Sequence, residues 1–593
     1  MGTPLHKGAG PADLVIRGGT LLNVYSGELL EGWGVAVRGE RIVAVGHDLS
    51  HAIGPETEML EAKGRYLTPG LIDGHTHLDY IQSLHEFLHA AVPQGLTTVI
   101  TELVHAANVA GAAAFRAFLA GLEDLPILVY TTAPCISLLC SDRGDGQPVI
   151  SSQEVADLLE HPLVLGLGEV YWHLALDHRP DLLALIEKAR SLRKQVEGHA
   201  AGARGWKLQQ YLGLGIGSCH EPITAEEVIE RLRLGVHAMV REGSVRHDVG
   251  ALSGVILSGV NLRRLILVTD TVWPEDLLGR GSMNHVVRRA IEVGLDPVSA
   301  VRAATLACAE HFGIDHLVGG LAPGRYANVL VIPDLRRMEP EVVISKGKVI
   351  AREGRCLVEI KGNPRLREVL PRPALPPSFT TADLQVPADR LGGWVKVRVV
   401  GIAGPIVTRE MTLSLPVEAG RVIADPKQDV LKAVVLDRRG LGHKTVGFVQ
   451  GFGLREGALA SSISWDVSNL VAIGASDADI AFVLNRLVEI GGGFVLVVDG
   501  KVVEELPMPV GGIISEEPVA VLAEKMARIK KAVKGIGSAV DDPILTLQAL
   551  TFTAIPAVRL TEHGLLQVKT RQILPLLGDA SRELSVQGSA TTL

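Results

Sequence analysis

Several features are scarce in this chain of 593 residues, and each scarcity narrows what it is. Cysteine occurs five times, at 135, 140, 219, 308 and 356, an odd number spread over a long sequence. That spacing argues against a disulfide framework and for buried thiols in a reducing compartment. No run of Lys and Arg is present and the net charge of −8 is modest for the length, so nucleic acid is not an expected partner. No apolar stretch of about 18 residues runs without a breaker, and Met1 to Gly10 has no charged segment leading into an apolar one. The expectation is a cytoplasmic protein with no membrane partner. A Walker loop is also missing. Gly491-Gly492-Gly493 follows a helix-like stretch from Ile480 to Ile490 and reads as a helix stop rather than a phosphate cradle.

What is present is core-forming sequence. With 47% hydrophobic and 21% charged residues, a chain this long should divide into two or three domains. Residues 13–67 carry short apolar runs, Leu14-Val15-Ile16, Gly34-Val35-Ala36-Val37 and Arg41-Ile42-Val43-Ala44-Val45, separated by glycine-rich turns. These are hairpin signals, and they return at Ala327-Asn328-Val329-Leu330-Val331-Ile332 and Glu341-Val342-Val343-Ile344. Segments 11–67 and 323–362 are therefore expected to form one small β-sandwich interrupted by an insertion. Proline-rich sequence (Pro364, Pro371, Pro373, Pro376, Pro377) then leads as a linker into a third domain, an α+β unit over 378–593.

Between the flanks, 68–322 alternates strand-like apolar runs with helical patterns. Eight candidate strands fall near 71–77, 97–102, 127–132, 163–169, 195–199, 214–218, 236–240 and 265–270. The expected fold class is α/β, a (β/α)8 TIM-type barrel. In that fold the reacting groups sit at the carboxyl ends of strands. His75 and His77 end the stretch Thr68-Pro69-Gly70-Leu71-Ile72-Asp73-Gly74-His75-Thr76-His77, with both imidazoles on one face. Glu169, His199, His220 and Asp270 stand at or just past four further strand ends.

Any one of the 20 histidines is most simply a structural or surface residue, but an ordered set of four with two carboxylates is not. Such a set suits one or two divalent ions, Zn, Mn or Fe. The expected arrangement puts His75 and His77 on the first metal, His199 and His220 on the second, and Glu169 between them. Asp270 lies near the bound water as ligand, proton acceptor or both. A metal brings such water to a pKa of roughly 7, and Asp270 can then move its proton to a leaving nitrogen. Pro134-Cys135 has its next cysteine only at Cys140, so the Pro-Cys-x-x-Cys of the base-flipping zinc deaminases is absent.

Further stretches carry a resemblance. Glu197-Gly198-His199-Ala200-Ala201-Gly202, Ile216-Gly217-Ser218-Cys219-His220-Glu221, Arg231-Leu232-Arg233-Leu234-Gly235 and Val240-Arg241-Glu242-Gly243-Ser244 lie in the middle region. Gly457-Ala458-Leu459-Ala460-Ser461-Ser462 and Pro507-Met508-Pro509-Val510-Gly511-Gly512-Ile513-Ile514-Ser515 lie in the third. With the metal-type residues they make the chain, from about residue 12 onward, resemble the amidohydrolase superfamily and within it the bacterial adenine deaminases. The resemblance implies a binuclear centre, with Glu169 where many relatives have a carboxylated lysine, and a homo-oligomer, dimer or larger.

Three motifs depart from that family. Its Asp-Pro-His-Glu is Glu102-Leu103-Val104-His105 here, its Thr-Asp-Asp-Arg-His is Thr269-Asp270-Thr271-Val272-Trp273, and its His-Asp-Ser-His-Asn is Trp465-Asp466-Val467-Ser468-Asn469. Trp172, Trp273 and Trp465, half of the six tryptophans, fall in or beside matched motifs. Clustered indoles favour a planar or apolar small-molecule substrate. The expected substrate-contacting residues are thus Glu102, His105, Trp172, Trp273 and Trp465. The expected activity is hydrolysis of a C–N bond, metal-bound hydroxide attacking a purine or related N-heterocycle with release of ammonia. The alternatives are an amidohydrolase acting on a cyclic or aryl amide and, from another class, a binding protein without activity. Retention of all six metal-type residues speaks against the last, because buried charges without a counter-ion are costly.

Overall fold

The apolar runs of the middle region become eight parallel strands in two sheets. In a computed structural model describing residues 10–140, 149–376, 379–465, 467–555 and 557–577, the first sheet holds β1 (Leu71–His77), β2 (Leu96–Glu102), β3 (Leu128–Ala133), β4 (Val164–Tyr171) and β5 (Gln195–His199). The second holds β6 (Ser218–Cys219), β7 (His237–Arg241) and β8 (Leu265–Val268). Residues 1–9, the side chain of Cys140, Pro377, Asp466 and the end of the third domain from 578 lie outside the described residues. Parallel strands buried on both faces must be apolar throughout, which is why they read as continuous runs rather than alternations.

Hydrogen bonds join the two sheets at both seams. Gly217 N donates to Val196 O at 2.9 Å, and on the other side Asp270 N donates to His75 O and His77 N to Asp270 O, both at 2.9 Å. Ile72, Ile100, Met239, Ile266 and Val268 pack together in one buried cluster between them. The sixth strand differs from expectation, starting at Ser218 rather than near 214. Leu214 still caps the helix Gly205–Gly213, and Gly215 takes φ 102°, so the chain is turning where a strand was expected.

The two flanks share a single nine-stranded sheet. Leu14–Asn23, Glu28–Arg38 and Arg41–Gly46 pair in sequence, while Val329–Ile332 crosses to Tyr66–Pro69 through Val329↔Pro69 to Ile332↔Tyr66. One face buries Ile16, Val35, Leu67 and Val329, and the other Val15, Ala36 and Leu49. The strand Tyr66–Pro69 runs directly into β1, so this sheet anchors the entry of the two histidines.

The proline-rich stretch is not extended throughout, since Arg365–Val369 is a short helix. Beyond it a second nine-stranded sheet carries the helix Asp477–Glu489 on one face. That helix stops at Gly491, Gly492 and Gly493, whose φ values of 85°, 100° and 122° turn the chain into the strand Gly493–Val498. The third region is docked on the middle one: Ile514–Ser515 pairs in parallel with Ile81–Gln82, and Lys530 Nζ lies 2.8 Å from Glu275 Oε2. Among the described residues no helix is long and apolar enough to cross a membrane.

Candidate metal centre

The carboxyl ends of the parallel strands bring all six metal-type residues into one buried patch. Glu169 Oε1 lies 3.2 Å from His75 Nε2, 3.4 Å from His77 Nε2 and 3.5 Å from His220 Nε2. Asp270 Oδ1 lies 3.6 Å and 3.4 Å from the same nitrogens of His75 and His77. His75, His77, Glu169 and Asp270 form one group whose donor atoms all fall within 4.8 Å, and His199, His220 and Glu221 form a second. The rings of His75 and His220 stack at 3.9 Å, which places the groups side by side.

Backbone geometry at the two carboxylates is unusual. Glu169 and Asp270 both have positive φ, 28° and 65°, which costs a non-glycine residue on the order of 1 kcal/mol and persists where surrounding structure imposes it. Gly168 shows the crowding there, because a Cβ on it would sit 2.2 Å from Glu102 Oε2 and 2.5 Å from Thr132 Oγ1. A larger residue at 168 would push Glu102 and the Glu169 turn apart.

The donor set fits a divalent cation. His75 Nε2 and His77 Nδ1 are buried without a hydrogen-bond partner, although His75 Nε2 faces two carboxylates. Burial opposes a charge on His75, but attraction to Asp270 and Glu169 outweighs it and lifts its pKa to about 10, and His77 rises for the same reasons. The two carboxylates thus require positive charge at this spot, which either protons on the imidazoles or a metal ion between them can provide. Neutral imidazoles with carboxylate oxygens are the ligands of zinc and its neighbours.

Two residues of the centre were not singled out from the sequence, although both stand inside quoted motifs. Glu221 Oε1 lies 3.4 Å from both His199 Nε2 and His220 Nε2. Arg241, at the end of β7 and 3% exposed, hydrogen-bonds Glu221, reaches Asp270 Oδ2 at 3.3 Å and Asp248 Oδ2 at 3.1 Å. Burial resists ionisation of Glu221, but Arg241 beside it holds its pKa down to about 2. His199, His220 and Arg241 facing one carboxylate was the available signal, visible only with the strands placed.

Above the centre is a cavity of about 830 Å3. His77, Glu169, His199, His220 and Asp270 line its floor, while Trp172 and Trp465 line its wall together with Phe552 from the third region. The Trp465 and Phe552 rings meet edge to face at 5.0 Å, and Trp172 is fixed by Nε1 donating to Ala201 O at 2.9 Å. His105 also lines the cavity; burial and the charge at His77 push its pKa down to about 3, so it is neutral. Glu102 and Trp273 are not part of the wall. Glu102 lies behind the centre, 3.9 Å from His75 Nδ1, where burial and Glu169 raise its pKa to about 7. Trp273 is 2% exposed in the core, its Nε1 donating to Tyr80 OH at 3.4 Å and Lys530 Nζ lying 4.7 Å over its ring. Thr271 still lines the cavity, whereas Trp273 caps the helix that begins at Pro274.

Parallel strands that gather His, Glu and Asp donors at their carboxyl ends beneath a cavity define a metal-dependent hydrolase. Residues 66–350 match the Amidohydrolase family, whose members act on carbon–nitrogen bonds, and residues 405–572 match the Adenine deaminase C-terminal domain. The chain is 37% identical over 573 residues to the adenine deaminase of Moorella thermoacetica and 36% identical over 579 to adenine deaminase 4 of Rhizobium meliloti, covering 96% of each pair. Among solved structures it is similar to a β-aspartyl dipeptidase from Fervidobacterium islandicum, at 18% identity and a TM-score of 0.47, covering 58% of this chain and 98% of that one. The chain belongs to the adenine deaminase family of the amidohydrolases.

Proposed function

We propose that this chain hydrolyses the exocyclic C–N bond of adenine or a closely related N-heterocycle and releases ammonia. The observation that carries the reading is Glu169 Oε1, one oxygen within 3.5 Å of three imidazoles drawn from both metal-type groups. His75 and His77 would hold one ion, His199 and His220 a second, with Glu169 shared and Asp270 beside the first. A bound Zn, Mn or Fe ion supplies an activated water near neutral pH. Asp270 Oδ1 would accept the proton of that water and return one to the departing nitrogen. Arg241 on Oδ2 keeps that carboxylate ionised and aimed. Trp172 and Trp465 cover the faces of a planar ring, His105 meets its edge, and Glu102 and Trp273 act from behind, through His75 and Tyr80.

In this reading the two parallel sheets make the (β/α)8 barrel of 68–322, segments 11–67 and 323–362 one small β-domain built on a single shared sheet rather than the expected sandwich of two, and 378–593 the third domain that roofs the site. The assembly is a cytoplasmic homo-oligomer. Metal analysis with a colorimetric ammonia assay on adenine tests the proposal. Protein without metal rejects the hydrolase reading, and metal without ammonia rejects adenine alone. A second reading, hydrolysis of a cyclic or aryl amide, is favoured by the cavity, whose volume of about 830 Å3 lies in the upper part of the ~300–1,000 Å3 range of small-molecule sites. Turnover of an aryl amide panel in place of adenine decides for it.

A further inference from the structure

Two of the three motifs that depart from the family meet at a hydrogen bond on the cavity wall. His105 Nδ1 lies 3.2 Å from Ser468 Oγ, across the boundary between the middle region and the third. The third departure adjoins them, since Trp273 donates to Tyr80 OH and the Tyr80 ring lies 4.3 Å from that of His105. His105 is 6% exposed and lines the cavity, 6.4 Å from the His77 ring. Its second nitrogen, Nε2, has no protein partner among the described residues.

Ser468 is held firmly for this task. Its carbonyl accepts from Arg438 Nη1 at 2.8 Å, while Arg438 Nη2 hydrogen-bonds Gly511 O and the Arg438 backbone N donates to Asn469 Oδ1 at 3.3 Å. The residue is fully buried and adopts φ 52°, a conformation that serine enters only where its surroundings demand it.

We propose that His105 reads the edge of the substrate ring, and that Ser468 is the positioning residue that presents it, so that the site selects heterocycles offering a ring nitrogen or ring N–H there. The inference rests on the deaminase reading above for its location but not for its test. A hydroxyl both donates and accepts, so Ser468 serves either neutral tautomer and leaves Nε2 to accept from, or donate to, the ring.

Calorimetric affinities of the full chain for adenine, hypoxanthine and adenine analogues with one ring nitrogen replaced by CH test this, with ammonia release and thermal melting measured separately. In the unmodified protein one replacement is expected to weaken binding about tenfold, the effect of losing one hydrogen bond. His105→Phe keeps the ring against Tyr80 and should abolish that difference, whereas His105→Gln should keep part of it. Ser468→Gly relieves the positive φ, so it should melt no earlier than the unmodified protein while its discrimination falls about threefold or more. The inference is overturned if the difference survives His105→Phe, if Ser468→Gly changes melting but not discrimination, or if no ring of the series binds. Discrimination that depends on His105 without ammonia release supports the inference and rejects deamination.

Discussion

Arg241 Nη1 lies 3.3 Å from Asp270 Oδ2, while Oδ1 of the same carboxylate faces His75 and His77. One buried guanidinium thereby divides the labour of Asp270 between an oxygen that is held and one that is available. Burial resists the charge on Asp270, but His75, His77 and Arg241 together keep it ionised well below the usual carboxylate range.

Asp270→Asn removes the proton acceptor while preserving shape. Turnover should fall by about a hundredfold or more, the usual worth of a positioned acid–base group. Metal content, read by elemental analysis, should remain mostly intact. Comparable activity in the variant would take Asp270 out of the mechanism.

Arg241→Met should destabilise the protein by about 3–5 kcal/mol, because Glu221, Asp248 and Asp270 lose their shared counter-charge while staying buried. The loss reads as a lower denaturant midpoint. Acid sensitivity should move as well. With Glu221 held at about 2 against an ordinary 4.5, its contribution is complete above 4.5 and disappears as pH falls towards 2. In Arg241→Met the folded pKa of Glu221 rises towards 4.5, so the loss of stability between pH 4.5 and 2 should be smaller than in the unmodified protein.

Glu102 has the opposite sign. Its pKa of about 7 lies above the ordinary 4.5, so its contribution to stability is complete below 4.5 and is lost as pH rises through 7. Metal-free protein should therefore be less stable at about pH 8 than at about pH 5, and Glu102→Gln should flatten that difference. Denaturant midpoints at the two pH values measure it, and an unchanged slope would remove Glu102 as its source.

The two indoles should separate cleanly. Trp465→Ala strips an aromatic wall from the cavity, and kcat/KM should fall by about tenfold, within the ~1–3 kcal/mol measured for ring stacking on aromatic side chains. Trp273→Phe should lower the melting temperature, since it empties part of a core site and breaks the bond to Tyr80. Its kcat/KM should stay within about threefold of the unmodified value, small beside the Trp465 effect.

The eight parallel strands were legible because a strand buried on both faces must be apolar along its length and must end in a turn. His75, His77, Glu169, His199, His220 and Asp270 could be picked out as candidates for a related reason: each stands at or within two residues of a strand end, a local position that a run of sequence reveals. Arg241 and Glu221 were not, because their ion pair joins neighbouring strands 20 residues apart in the chain and nothing local announces it. Trp273 shows the converse. Its place beside Asp270 in the sequence suggested the cavity, but the side chain is buried in the core against Tyr80 and Lys530.

The sequence by itself picked out the candidate metal-type groups, because such side chains at strand ends need only strand order to meet. It also pointed to 102–105, 269–273 and 465–469 as the stretches to follow into the structure. Only the tertiary structure decided which of those stretches meet. His105 and Ser468 are 363 residues apart, and their hydrogen bond exists because the third region docks over the strand ends. Recognition at this site depends on that docking, and docking is a property of surfaces brought together by the whole fold.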